Sequence, residues 1–112
     1  MQRQLSLYRY EKSALDTALI VRVSSDVNYS CFTLSNGKQI IIAKTLKIFE
    51  DRLVGQQNFV RPSKGYIINT HFIKTYDQES RKLTLTDGYS VLVSRRRAKT
   101  IQATLNSFIS TF

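Results

Sequence analysis

A chain of 112 residues, 42% of them apolar, can bury one hydrophobic core and is too short for two ordinary domains. No apolar run is long enough to span a bilayer, no signal-peptide pattern opens the chain, and a lone cysteine, Cys31, excludes an internal disulfide; the last point fits a reducing cytoplasm, which is the expected location. The 17 Lys and Arg outweigh the 8 Asp and Glu by +9, a balance that points to a polyanionic partner: DNA, RNA or an anionic surface.

Residues 1–17 mix polar positions with Leu5, Leu7, Tyr8 and Tyr10. They read as a first strand or a linker remnant, with the domain proper over 18–112. "ALIVRVSS" (18–25) is β-branched and ends in turn-forming residues, so a strand is expected. "YSCFTLSNGKQIIIA" (29–43) holds two strand-like runs around Asn36-Gly37, a pair suited to a tight type I′ hairpin because both positions tolerate positive φ. In "TLKIFEDRLVG" (45–55) the period changes. Leu46, Phe49 and Leu53 recur at helical spacing, with Thr45 placed to cap and Gly55 to stop a short amphipathic helix.

"NFVRPSKGYIINTHFIKTY" (58–76) is strand-like at both ends, and Pro62 and Gly65 mark "PSKG" as an exposed loop between strands. "KLTLTDGYSVLV" (82–93) alternates cleanly about a second tight turn, Asp87-Gly88, and Tyr89, Val91 and Val93 return along one face. Ala98, Ile101, Leu105, Phe108 and Phe112 then define a C-terminal helix with Ser94 at its cap. The sum is a mostly β domain with two helices. The two hairpins resemble each other locally, without a period that implies a repeat protein.

Catalytic groups do not converge. His71 is the only histidine and reads as a surface or structural residue. There is no Cys/His cluster for zinc and no phosphate-cradling glycine loop. Glu50-Asp51 reads as a solvated helix face. An enzyme is not expected, and no cofactor or metal is implied.

Cations instead gather beside turns. Arg61 and Lys64 flank Pro62, Ser63 and Gly65. Asn28, Tyr29 and Ser30 open a strand after a loop. Arg95, Arg96 and Arg97 stand where a helix begins, although a helix N-terminus carries partial positive charge and favours anions. No acidic residue follows Asp87. Lys, Arg, Ser and Asn are the side chains that hold phosphates and read base edges.

In order, these segments resemble the LytTR-type DNA-binding domain of bacterial transcription regulators. Phe59, Arg61, Tyr66, Asn69 and Ile73 match the family's F-x-R-x-H-R-S-[YF]-x-V-N run and the isoleucine after it. Leu85, Asp87, Gly88, Leu92, Val93, Ser94 and Arg95 match its L-x-D-G-x-x-[IL]-x-V-S-R run. "VNYSCFTLSNGKQI" and "KTLKIFEDRL" match the hairpin and T-L-x-x-L-E-x-x-L helix upstream. The likeness covers roughly 18–105. One departure stands out: the family's H-R-S is Ser63-Lys64-Gly65 here, which keeps a cation without arginine's planar fork.

The resemblance implies an elongated fold of antiparallel β-sheets with tight hairpins, one short central helix and a C-terminal helix. It implies sequence-specific binding of double-stranded DNA in the major groove by three segments: Asn28, Tyr29 and Ser30; Arg61, Ser63 and Lys64; Ser94, Arg95, Arg96 and Arg97. Lys64 and Arg96 would read bases and Arg97 a phosphate. Bound DNA would then offset the stacked arginines. Direct-repeat sites occupied by two copies are expected, in a response regulator of a two-component system or in a stand-alone regulator. The rival reading is a small basic β-rich RNA-binding module, for which six Tyr and six Phe offer stacking surfaces.

Overall fold

The structure, a computed structural model, describes residues 4–5, 15–54 and 58–109. It is elongated, 43 × 30 × 24 Å. A short antiparallel pair, β1 (Gln4–Leu5) and β2 (Leu15–Asp16), precedes a five-stranded antiparallel sheet made of β3 (Ile20–Asp26), β4 (Tyr29–Leu34), β5 (Gln39–Ile42), β6 (Phe59–Ser63) and β7 (Tyr66–Asn69). Its strand order is β5-β4-β3-β7-β6. A three-stranded sheet follows: β8 (Ile73–Asp77), β9 (Lys82–Leu85) and β10 (Ser90–Leu92). Helix α1 (Leu46–Leu53) links β5 to β6, and α2 (Arg95–Ile109) follows β10.

The large sheet is covered on both faces, which is why its strands are more continuously apolar than a half-solvated sheet requires. On one face Ile20, Val23, Phe32, Ile42 and Ile67 pack beneath Leu46, Phe49 and Leu53 of α1. Phe49 is fully buried and meets Phe32 edge-to-face at 4.8 Å, the arrangement that ring quadrupoles favour. On the other face Val21 and Ile68 meet Leu83, Leu85, Val91 and Val93 of the small sheet and Ile101 and Leu105 of α2. Each such buried side chain contributes about 1.5–3 kcal/mol. Residues ahead of position 18 take part as well: Leu5 and Thr17 are buried, and Leu15 packs on the first cluster.

The local likeness of the two hairpins extends through the whole motif. Each half begins with a 3-10 turn whose second amide is capped by the side chain just before the turn: Asp16 Oδ1 accepts from Ala18 N, and Asn69 Oδ1 from His71 N. Each first strand then bulges, between Ile20 and Arg22 and between Ile73 and Thr75. The turn residue Ser35 donates its N–H back to Leu19 O at 2.8 Å, as Thr86 does to Phe72 O. Exposed Ile41 of β5 matches exposed Leu92 of β10, and a helix follows each third strand. One 3-10–β–β–β–α unit therefore occurs twice.

Three local expectations need correction. Both glycine turns differ from type I′: φ is positive only at Gly37 and Gly88, and those amides close back to Leu34 O and Leu85 O. This is a three-residue loop ending in a left-handed glycine, and Asn36 and Asp87 add a bond from Oδ1 to the amide two residues on. "PSKG" is not all loop. Buried Pro62 and half-buried Ser63 belong to β6, Pro62 inside a bulge between Val60 and Ser63 that absorbs its missing donor, and only Lys64-Gly65 turn. Thr45 and Ser94 stand at the helix starts, but neither side chain makes the capping bond. The expected stop at Gly55 and the core roles of Phe108 and Phe112 lie outside what the structure describes.

One polar lock ties the sheets together. Arg22, 8% exposed, donates to Asp87 Oδ2 at 2.7 Å and stacks 3.7 Å from the Tyr89 ring centre. The Tyr89 and Tyr66 hydroxyls are 2.7 Å apart. Burial pushes the Asp87 carboxyl up, but the Arg22 hydrogen bond, the Tyr89 amide and the Arg22 charge together outweigh it and hold it below its ordinary value. A carboxyl lowered in the folded state stabilises above its unfolded pKa and loses that contribution as pH falls through the folded value. Asp87→Asn should therefore lower the melting temperature at pH 7 and make the loss of stability between pH 5 and pH 2 shallower. Thermal melts across that range check it; an acid limb as steep as the parent's would show that the pair is not coupled to folding.

Candidate nucleic-acid interface

The antiparallel registers bring the three segments singled out in the sequence to one end of the large sheet. β3 and β4 meet there in a two-residue tip, Val27-Asn28, between the paired residues Asp26 and Tyr29. β6 and β7 meet at Lys64-Gly65, between Ser63 and Tyr66. Two backbone hydrogen bonds fasten the segments to one another. Ser25 N donates to Gly65 O at 2.9 Å, and Ser94 N donates to Pro62 O at 3.0 Å. The start of α2 is thereby fixed beside the second tip, just as that tip is fixed beside the first.

The ten residues are not equivalent. Asn28, Lys64, Arg95 and Arg96 are exposed, Tyr29 is 50% exposed, and Ser63 is half-buried. Ser30 is fully buried, and its Oγ donates to Lys44 O at 2.8 Å, so it braces the edge rather than facing outward. Ser94 holds Pro62 through its backbone, while its buried Oγ lacks a hydrogen-bond partner. Val27, 86% exposed with φ 53°, is a β-branched residue in the left-handed region, a strain of about 1–3 kcal/mol placed at the very tip.

Arg61 and Arg97 turn inward. Arg61, with its side chain 12% exposed, donates Nη2 to Lys64 O at 2.6 Å and places Nη1 3.0 Å from Glu50 Oε1. Arg97 donates Nη1 to Arg61 O at 3.0 Å and lies 3.9 Å from Glu50 Oε2. Lys47 completes the set at 3.3 Å from Glu50. Burial pushes the Glu50 carboxyl up, yet the Arg61 hydrogen bond and charge, with Lys47 behind them, bring it below its ordinary value. An anion on α1 thus gathers cations from β6 and α2 and, through Arg61, grips the backbone of the Lys64 turn.

Glu50 was the residue that pattern reading undervalued. It lies four positions after Leu46 and next to Phe49, on the border of the apolar stripe rather than on the solvated side, where Asp51 does stand. A carboxylate at such a border is placed to reach a neighbouring element. Asn69, of the same motif as Arg61, is structural: it is 1% exposed, and its Nδ2 donates to Ile20 O at 2.9 Å. His71 is exposed. Among the described residues no group of three or more His, Cys, Asp or Glu could hold a metal ion, and no helix is long and apolar enough to cross a membrane.

A basic β domain that lines up exposed cations, amides and hydroxyls at one sheet end has the makings of a nucleic-acid-binding module. The comparisons with known proteins narrow that class. The LytTr DNA-binding domain profile matches residues 10–106, and the chain belongs to that family. A solved structure described as the LytTr DNA-binding domain of a putative methyl-accepting/DNA response regulator from Bacillus cereus superposes with a TM-score of 0.76. It is 16% identical, and the match covers 94% of this chain and 98% of that one, so it supports the fold. No curated protein matches.

Removing the Glu50 carboxylate leaves Arg61 and Arg97 facing each other across a half-buried gap. Glu50→Ala should destabilise the domain by about 1–2 kcal/mol, less than the 3–5 of a fully buried pair because the site is partly open to water. Amide exchange at Lys64 and Gly65 should quicken, while exchange at the distant, more exposed Gly37 turn should stay the same. Urea melts and exchange rates check this, and unchanged exchange at Lys64 would show that the turn holds itself.

Proposed function

We propose that the domain binds double-stranded DNA sequence-specifically, using this sheet end in the major groove, and that it regulates transcription as the effector part of a response regulator or as a stand-alone regulator in a bacterial cytoplasm. The observation that carries the reading is the fastening of the three segments to one another by the Ser25–Gly65 and Ser94–Pro62 hydrogen bonds. Contacts in a fixed array can match the fixed spacing of groups on a duplex at little ordering cost. Asn28 and Tyr29 form the first contact, Ser63 and Lys64 the second, and Arg95 and Arg96 the third. Arg61 and Arg97 act behind them as supports, although Arg97, one-third exposed, can also offer a donor to phosphate. Two copies on direct repeats would give the affinity that one small surface lacks.

The RNA reading has less behind it. Stacking on unpaired bases needs exposed rings. Phe32, Phe49 and Phe59 are buried, Tyr89 is occupied by Arg22, and at the sheet end Tyr29 stands alone among the exposed aromatics described.

Lys64 and Arg96 are assigned to bases. A lost base contact costs about 1–3 kcal/mol of discrimination, so Lys64→Ala and Arg96→Ala should each reduce preference for a selected duplex over random duplex by about ten- to a hundredfold. Lys64→Arg should keep binding and sharpen preference through its planar fork. A duplex selected from a random pool, titrated with each variant at one salt concentration, checks this. Loss of general affinity with an unchanged specificity ratio would confine both residues to phosphate. Single-stranded RNA outcompeting duplex at equal length would favour the rival.

A further inference from the structure

The basic end of the sheet does not stop at the first hairpin tip. β5 is the edge strand on that side, and it also finishes there: Ile42 pairs with Ser30, and the chain then turns toward α1 through Ala43 and Lys44. Ser25 and Ser30 are themselves paired across β3 and β4. From this pair one hydrogen bond runs each way. Ser25 N reaches Gly65 O, beside Lys64, and Ser30 Oγ reaches Lys44 O at 2.8 Å. Lys44 and Lys64 therefore flank the Asn28 tip at the same height of the sheet, each with its backbone fixed from the tip's own base. Nothing in the sequence patterns drew attention to Lys44, because it lies in an ordinary strand-to-helix connection.

The duplicated unit supplies a second, independent observation. Ile42 ends β5 and Val93 directly follows β10; both are buried, and each leads through a short connection into a helix, Lys44 lying in the connection ahead of α1 and Arg95 opening α2. Counting from them, Lys44 is to the first half what Arg95 is to the second. The same place in the unit carries a cation twice, at opposite ends of one row: Lys44, the Asn28 tip, the Lys64 turn, then Arg95 and Arg96.

We propose that Lys44 is a fourth DNA contact, a phosphate-holding residue that extends the footprint beyond the Asn28–Tyr29 tip; this rests on the duplex-binding reading above. β5 lies about one and a half strand spacings from the centre of that tip, about 7 Å at the usual spacing, or about two base-pair steps along a duplex. A lysine in this position is a point charge without a fork, which suits a phosphate oxygen and gives no base preference. The backbone bond to Ser30 fixes the base of the side chain, so that reach, not loop ordering, determines the contact.

The test is a salt titration of duplex binding with four variants. Lys44→Gln should lower affinity about tenfold near 0.1 M salt, alike for selected and random duplexes, and reduce the log-log salt slope by about one. Lys44→Arg should restore both. Lys38→Gln removes the same charge from the Asn36-Gly37 turn at the opposite end of the sheet and should leave the slope unchanged. Shortening the duplex by two base pairs on the Asn28 side should weaken the parent but not Lys44→Gln. A parental slope in Lys44→Gln, or an equal change in Lys38→Gln, overturns the proposal. If Arg96→Ala also binds duplex like the parent, the failure belongs to the duplex reading itself. A thermal melt of Lys44→Gln accompanies the titration, and an affinity loss that Lys44→Arg does not rescue overturns the contact as well.

Discussion

The Glu50 carboxylate is the constraint on which the geometry of the proposed binding end rests. It is a single anion on a short helix, and two arginines from other elements converge on it. Left to itself, a +9 chain would spread its cations apart, since like charges repel and each gains from separate hydration. Glu50 reverses this locally. By holding Arg61 it fixes the Lys64 carbonyl, and through Arg61 and Arg97 it sets the first turn of α2 against β6. Of the three arginines at this helix start, one is answered by an internal carboxylate and the other two are exposed, where the proposed duplex would meet them.

The fold builds this end economically. Antiparallel pairing puts alternate hairpin tips at the same end, and repetition of one 3-10–β–β–β–α unit delivers a helix start to each side of the row. The two helices serve different purposes. α1 roofs one face of the large sheet and contributes Glu50, whereas α2 closes the other face and leads with arginines. The Arg22–Asp87–Tyr89–Tyr66 lock then holds the small sheet against the large one close to the Lys64 turn, because Tyr66 begins β7.

Much of this was legible in the sequence, for reasons that can be named. Alternation identified β9 and β10, and helical spacing identified α1 and α2, since the apolar faces of these elements are buried. The order of the motifs pointed to the family. What eluded pattern reading was what depends on partners distant in sequence. Pro62 looked like a loop residue because a bulge that accommodates it leaves no local mark. Nothing beside Arg22 in the sequence accounts for its burial, and only the approach of Asp87 and Tyr89 explains it. Arg61, Arg97 and Ser30 were grouped with the expected contact residues because the family resemblance implies contacts by those segments. The structure places them behind the exposed row, where the same donors bond to protein. The duplication escaped notice because it is carried by capping bonds, bulges and turn closures rather than by identical residues.

In the proposed mode of binding, one end of the five-stranded sheet meets DNA as a single rigid array. Amide chemical-shift mapping during titration with a selected duplex tests it most directly. The amides at 27–30, 63–65 and 94–96 should shift together and saturate with one affinity, while those of the Ser35–Lys38 turn and the Thr70–Phe72 turn at the opposite end stay still. Shifts concentrated at that opposite end, or three segments that saturate with separate affinities, would contradict it.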